Sequence, residues 1–85
     1  MEPWKKQKNK LICEVKFRNF KEAMRFVNAV AEVAEEQAHH PTIYIVYNKV
    51  KLELFTFDRH NTITELDYTL QKAIDNILPS YINPL

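Results

Sequence analysis

The sequence predicts an α+β domain in which an antiparallel sheet carries its helices on one face, in the order strand, helix, strand, strand, helix. Three observations lead there. Apolar and polar residues alternate from Leu11 to Phe17, and two later stretches space their apolar residues at helical intervals and stop near a proline. Between those stretches lies a run rich in β-branched and aromatic residues with a turn signal at its middle. At 85 residues, the chain is expected to form a single domain over 1–85, with 1–10 a partly ordered N-terminal segment.

In the first strand Leu11, Cys13, Val15 and Phe17 share one face, and Glu14 and Lys16 the other. Asn19 then offers a helix N-cap, with Glu22 three residues on to complete a capping box. The helix that follows sets Phe20, Ala23, Met24, Val27, Val30, Ala31, Ala34 and Ala38 on one side. Arg25, Asn28, Glu32, Glu35 and Glu36 occupy much of the rest. It ends before Pro41, because a residue preceding proline is pushed out of the α region. The run Thr42 to Phe57 is expected to fold as a hairpin about Asn48-Lys49, since asparagine tolerates the positive φ of such turns. That turn pairs Tyr47 with Val50, Ile45 with Leu52 and Ile43 with Leu54 on one apolar face. Val46 with Lys51, Tyr44 with Glu53 and Thr42 with Phe55 fall on the other, and continuing the ladder brings His40 opposite Phe57. After Asp58–Asn61, either Thr64 with Asp67 or Thr62 with Glu65 caps a second helix. Its Leu66, Leu70, Ala73, Ile74, Ile77 and Leu78 form a stripe that ends at Pro79.

Composition removes several function classes. Twelve basic and eleven acidic residues leave a net charge of +1, without the basic excess of a nucleic-acid binder. Lys5, Lys6, Lys8 and Lys10 form the one basic run, read as a solvated tail. Glycine is absent, so phosphate-cradling loops, which need glycine for close backbone approach, are excluded. Cys13 is the only cysteine; no disulfide can form within the chain, and the thiol is expected to be buried and inert. His39, His40 and His60 are too few and two of them too close for a zinc site, so no metal is expected. No apolar run approaches the roughly 18 residues of a membrane span and no signal-peptide core follows Met1. The expected compartment is cytoplasmic, with no membrane partner.

The chemistry is concentrated in His39-His40-Pro41, where the long helix gives way to a strand. Two imidazoles can take and give protons near neutral pH, which few other side chains do unaided. The ordinary alternative is a polar helix end, where cations favour the macrodipole. Proline after the pair stiffens the junction.

These residues carry a resemblance. Glu35, three spacers, His39-His40-Pro41, the aromatic Tyr47 six residues on, and Asp67 further downstream are similar to the pattern of the pterin-4a-carbinolamine dehydratase family. Val-Tyr-Asn-Lys-Val-Lys-Leu-Glu-Leu over 46–54 resembles that family's hairpin, and Phe-Arg-Asn-Phe-Lys-Glu-Ala over 17–23 its strand-to-helix junction. Trp4 resembles its N-terminal tryptophan, although the segment before the first strand is short. One position departs: where the family has His or Trp, this chain has Phe57.

The resemblance implies a 4a-hydroxytetrahydropterin substrate, a product of aromatic amino acid hydroxylation. Elimination of water would give a quinonoid dihydropterin, without metal or bound cofactor, as a step of tetrahydrobiopterin recycling. It implies His39 and His40 as proton-transferring residues, and Ala38, His39, His40, Phe55, Thr56, Phe57 and Asp58 around the substrate. Phe57 cannot transfer protons, but its ring can stack on a flat pterin. In support, Glu35 would orient His39 from the preceding helical turn, Pro41 would stiffen the site, and Asp67 is read as a helix-capping residue ahead of a catalytic one. His60 is a weaker substitute for the missing histidine. The family, and the mixed aromatic second face of the sheet, imply a homodimer or homotetramer. The alternative is a catalytically weak or inactive member that serves as a pterin-binding or protein-interaction and assembly module, as some relatives do.

Overall fold

The computed structural model describes residues 4–82; residues 1–3 of the expected N-terminal segment lie outside that range. Its elements are β1 (Trp4–Gln7), β2 (Lys10–Lys16), α1 (Phe20–Gln37), β3 (Thr42–Val46), β4 (Lys49–Leu54) and α2 (Glu65–Ile77), followed by a single 3-10 turn at Leu78–Ser80. The four strands form one antiparallel sheet in the order β1-β2-β4-β3. From β2 onward this is the expected order of elements in an α+β fold.

β1 is an addition. Trp4 pairs with Cys13 and Gln7 with Lys10, across a turn in which Lys8 and Asn9 have φ of 51° and 62°. Two consecutive positive-φ residues match the right-handed twist of the strands they join. The lysines read as a solvated tail therefore belong to a hairpin, and Lys10 reaches Glu53 on β4 at 3.1 Å. Trp-Lys-Lys-Gln offers one apolar residue and no alternation, so nothing in its pattern announces a strand. The Trp4 indole N–H donates to Asp75 Oδ1 at 2.7 Å and ties this edge strand to α2.

The core lies between the sheet's inner face and the two helices. Leu11 and Cys13 of β2 and Val50, Leu52 and Leu54 of β4 meet Phe26 and Val30 of α1 and Leu70 and Ile74 of α2, all buried. Burying a side chain such as Leu52 fully contributes roughly 1.5–3 kcal/mol. Phe26, absent from the apolar side that the spacing predicts for α1, is fully buried, its ring 5.2 Å from Phe17. The buried stripe is Ala23, Phe26, Val30 and Ala34, while Phe20 is half exposed. Asn19 caps α1 as expected, accepting from the Glu22 N–H at 2.9 Å. The Glu22 carboxylate, however, pairs with Arg18 at 3.0 Å.

The hairpin register differs from the expected one by two residues. Val46 pairs with Lys49, Ile45 with Val50, Ile43 with Leu52 and Thr42 with Glu53, so the turn residues are Tyr47-Asn48 and Tyr47 takes φ 52°. Asn48 is held elsewhere: its amide donates to the Phe17 carbonyl at 2.9 Å and its carbonyl accepts from the Phe17 N–H at 2.7 Å. Because strands repeat every two residues, the shift leaves the side chains that remain in the ladder on their expected faces, while Tyr47 leaves the apolar face for the exposed turn. It does undo the pairing of His40 with Phe57: the ladder stops at Thr42, immediately after Pro41, and Phe57 lies beyond β4. No helix among the described residues is long and apolar enough to cross a membrane.

Candidate active site

The site forms where α1 ends and the chain turns into β3. Ala38 caps α1 in the left-handed region, at φ 53°, and its N–H together with that of His39 satisfies carbonyls of Ala34 and Glu35. Glycine ordinarily fills this position. An alanine there costs roughly 1–2 kcal/mol, and it sets the direction in which His39 and His40 leave the helix.

The two histidines meet different surroundings. His39 is nearly buried, and its Nε2 lies 2.6 Å from Asp67 Oδ1 on α2; the Asp67 side chain is completely buried. His40 is exposed, and its Nε2 lies 2.7 Å from Glu35 Oε2, also exposed. The expected orienting contact from Glu35 to His39 is thus not made. Glu35 serves His40 instead, because the left-handed cap at Ala38 breaks the helical geometry that would place residues 35 and 39 together. An exposed pair of this kind contributes about 0–1 kcal/mol, so it orients more than it stabilises.

Asp67 combines two roles that the sequence reading set against each other. Thr64 is the N-cap of α2 and Asp67 its N3 residue in a complete capping box, so of the two capping pairs considered Thr64 with Asp67 is the one formed. Asp67 Oδ2 accepts the Thr64 N–H at 2.9 Å and the Thr56 hydroxyl at 2.7 Å, while Oδ1 faces His39. An ionised Asp67 carboxylate is an acceptor only, and His39 Nε2 then donates to it. In the neutral ring, Nδ1 is then the nitrogen that carries the lone pair.

Above this pair is an open cleft of about 370 Å³ lined by Ala38, His39, His40, Phe55, Thr56, Phe57, Asp58 and Leu66. All seven residues expected around a substrate are here, brought together by the α1 cap and the end of β4. Leu66 is the one the sequence reading missed. It was assigned to the core stripe of α2, but at N2 of that helix it stands half exposed at the rim. The signal was its place within the Thr64–Asp67 box. Phe57 is 81% exposed, a phenyl ring held in solvent at the mouth. Pro41 follows His40 without lining the cleft, and His60, exposed in the turn at φ 60°, does not line it either.

Other candidates are weaker. A larger hollow of about 600 Å³ lies on the outer sheet face among Glu14, Lys16, Tyr44, Lys49 and Lys51, and holds no histidine. Cys13 is buried in the core; desolvation first, then Asp75 and Glu14, push its thiol up to about 12. That thiol is not a nucleophile at neutral pH. Among the described residues no group of three or more His, Cys, Asp or Glu could hold a metal ion.

Comparison with known proteins gives a consistent answer. The model of the pterin 4 alpha carbinolamine dehydratase family matches residues 1–77. A Thermomicrobium roseum protein assigned by name to the pterin-4-alpha-carbinolamine dehydratases is 48% identical over 71 residues, which cover 84% of this chain and 75% of the relative. A Sulfolobus acidocaldarius protein assigned likewise is 40% identical over 77 residues, covering 91% and 84%. Among solved structures, a transcriptional coactivator/pterin dehydratase from Brucella melitensis superposes with a TM-score of 0.81 at 30% identity, covering 91% of this chain and 83% of that one. A pterin dehydratase-like RuBisCO assembly factor of the alpha-carboxysome superposes at 0.73 over 89% of each chain; at 22% identity it is similar in fold alone. The chain belongs to the pterin 4 alpha carbinolamine dehydratase family.

Proposed function

We propose that the protein dehydrates a 4a-hydroxytetrahydropterin to the quinonoid dihydropterin by histidine acid–base catalysis. The observation that carries the reading is the buried His39–Asp67 pair at the wall of a cleft that His40 also lines. The reaction needs a base for a ring N–H proton and an acid for the departing hydroxyl. His39, with Nε2–H held on Asp67, presents Nδ1 as the base, and the carboxylate stabilises the imidazolium that forms. His40, exposed and paired with Glu35, supplies the proton to the hydroxyl, which leaves as water. A positioned acid or base contributes roughly 10²–10⁴-fold, so two suffice for a substantial rate without a third. Phe57 stacks on the flat pterin, with Phe55 and Leu66 lining the remaining apolar wall. In this reading the substrate is a free pterin, the protein works in the cytoplasm in tetrahydrobiopterin recycling, and it assembles as a homodimer or homotetramer.

One observation favours a second reading. Phe57 places an exposed phenyl ring, which transfers no protons, at the mouth of the cleft, and this suits a weakly active member kept for pterin binding or for protein assembly. The test is purified protein mixed with freshly generated carbinolamine and followed by absorbance, beside His40→Ala and Phe57→His. Activity in the wild type that His40→Ala removes supports the dehydratase. A silent wild type that Phe57→His activates by tenfold or more supports the second reading. Equal rates for wild type and His40→Ala would remove His40 from the mechanism.

A further inference from the structure

Beneath the cleft, Thr56 is held from both sides. Its N–H donates to the Thr62 carbonyl at 2.8 Å and its own carbonyl accepts from the Arg59 N–H at 3.2 Å, so the backbone is locked where β4 gives way to the turn. The side chain, β-branched and stiff at χ1, is buried. Its hydroxyl proton goes to Asp67 Oδ2 at 2.7 Å, and its oxygen lies 2.5 Å from Thr64 Oγ1. Thr64 Oγ1 in turn accepts the Leu66 N–H. Donor directions therefore run one way, from the Leu66 amide through the Thr64 and Thr56 hydroxyls to the carboxylate. Such chains polarise one another and strengthen their last bond.

A carboxylate carries no rotational preference of its own strong enough to hold one oxygen on a histidine. Two donors on Oδ2, the Thr64 N–H and the Thr56 O–H, fix the plane and leave Oδ1 aimed at His39 Nε2. The Thr64 amide would be there in any capped helix. The Thr56 hydroxyl belongs to a different element, and it is what ties the carboxylate's rotation to the strand end that lines the cleft. We propose that Thr56 is a positioning residue for the His39–Asp67 pair, setting the rotation of the carboxylate and through it the tautomer of His39. The inference deepens the dehydratase reading and rests on it only for its kinetic consequence.

The experiment compares wild type, Thr56→Val and Thr56→Ser by ring ¹⁵N NMR of labelled histidine and by carbinolamine turnover. Wild type and Thr56→Ser are expected to hold His39 with Nε2 protonated. Thr56→Val, which keeps the shape and removes the hydroxyl, is expected to show a mixture of the two tautomers. Its kcat is expected to fall about tenfold, the range typical of partners that orient a functional group from behind, with KM within about twofold. Thr56→Ser is expected to restore kcat to within about twofold of wild type. A folded Thr56→Val protein with the wild-type His39 tautomer overturns the proposal whatever its activity. A shifted tautomer in a protein that never turns over carbinolamine leaves the positioning role standing and overturns the dehydratase reading instead. Should Thr56→Val fail to fold by circular dichroism, Thr56→Ala carries the same tautomer measurement, and an unchanged tautomer in that folded variant overturns the proposal.

Discussion

Asp67→Asn is the most informative single change, because it alters charge and donor pattern while keeping shape. In the wild type three hydrogen bonds converge on the carboxylate: one between Oδ1 and His39 Nε2, which donates to the ionised group, and those from the Thr56 hydroxyl and Thr64 N–H to Oδ2. An asparagine has one acceptor oxygen. If that oxygen takes the Oδ2 position, the two bonds of the capping side survive and the amide N–H₂ faces His39. Nε2 must then become the acceptor, and the ring proton moves to Nδ1, the nitrogen proposed as base. If the oxygen instead faces His39, the amide protons collide with the Thr56 and Thr64 donors. The first arrangement costs less, so the folded variant is expected to carry His39 in the wrong tautomer. Loss of the charged acceptor and weakening of the cap cost about 1–2 kcal/mol, which lowers the melting temperature by about 4–16 °C in a domain of this size. The catalytic loss is larger, about 10²–10⁴ in kcat, because a base with its proton on the wrong nitrogen contributes nothing. Thermal melts by circular dichroism give the first figure and carbinolamine turnover the second. An Asp67→Asn protein that melts lower yet keeps kcat within about threefold of wild type would show that Asp67 is a cap and nothing more.

Three further outcomes follow from the fold. Phe26→Ala removes a completely buried ring in contact with Phe17 and Tyr81. It should cost about 3–5 kcal/mol, a large share of the roughly 4–13 kcal/mol a chain of 85 residues holds, so the urea midpoint should fall steeply; an unchanged midpoint would contradict the packing. Trp4→Phe deletes the indole donor to Asp75 and should cost about 1 kcal/mol, with faster amide exchange confined to β1; uniform exchange across the sheet would contradict the assignment. The Cys13 thiol, raised from 9.0 to about 12, keeps its proton in the folded state where the unfolded chain would lose it. The unfolded chain then binds fewer protons, so stability is whole below pH 9 and falls as pH rises from there toward 12. Cys13→Ala should flatten that alkaline slope, and native protein at pH 8 should resist a thiol-reactive dye that labels it at once in urea.

The legible parts of this molecule are those written in short-range pattern. β2 and α1 could be read because alternation and the Asn19 cap are local, and the faces of the residues still paired in the hairpin survive a two-residue difference in register because strand period is two. What failed depended on partners distant in sequence. Asn48 looked like the residue for positive φ, but Phe17 claims its amide and its carbonyl, and Tyr47 takes the strained position instead. β1 is a strand only because β2 offers it an edge. The cleft lining was recoverable from resemblance in sequence, yet the partners of its two histidines were not. Whether Glu35 meets His39 or His40 depends on a left-handed φ at Ala38, which in a chain without glycine no residue type announces.

Asp67 also explains why the site's tolerance to change is uneven. The carboxylate that orients His39 is the one that closes the capping box of α2, so no substitution there can touch chemistry without touching the helix. Thr56 and Thr64 share the constraint, since each satisfies a buried or terminal group while serving the same oxygen. His40, Phe57 and Leu66 stand at the rim, exposed, with Glu35 behind His40, and little of the fold rests on their side chains. A replacement at Phe57 costs almost no stability, because an 81% exposed ring loses little buried area when it changes. Position 57 can therefore change in either direction while the His39–Asp67 pair beneath stays intact. The phenyl ring at position 57 stands over a complete His39–Asp67–Thr56 arrangement that takes none of its hydrogen bonds from the rim, so chemistry at the mouth and architecture beneath it are separable by substitution.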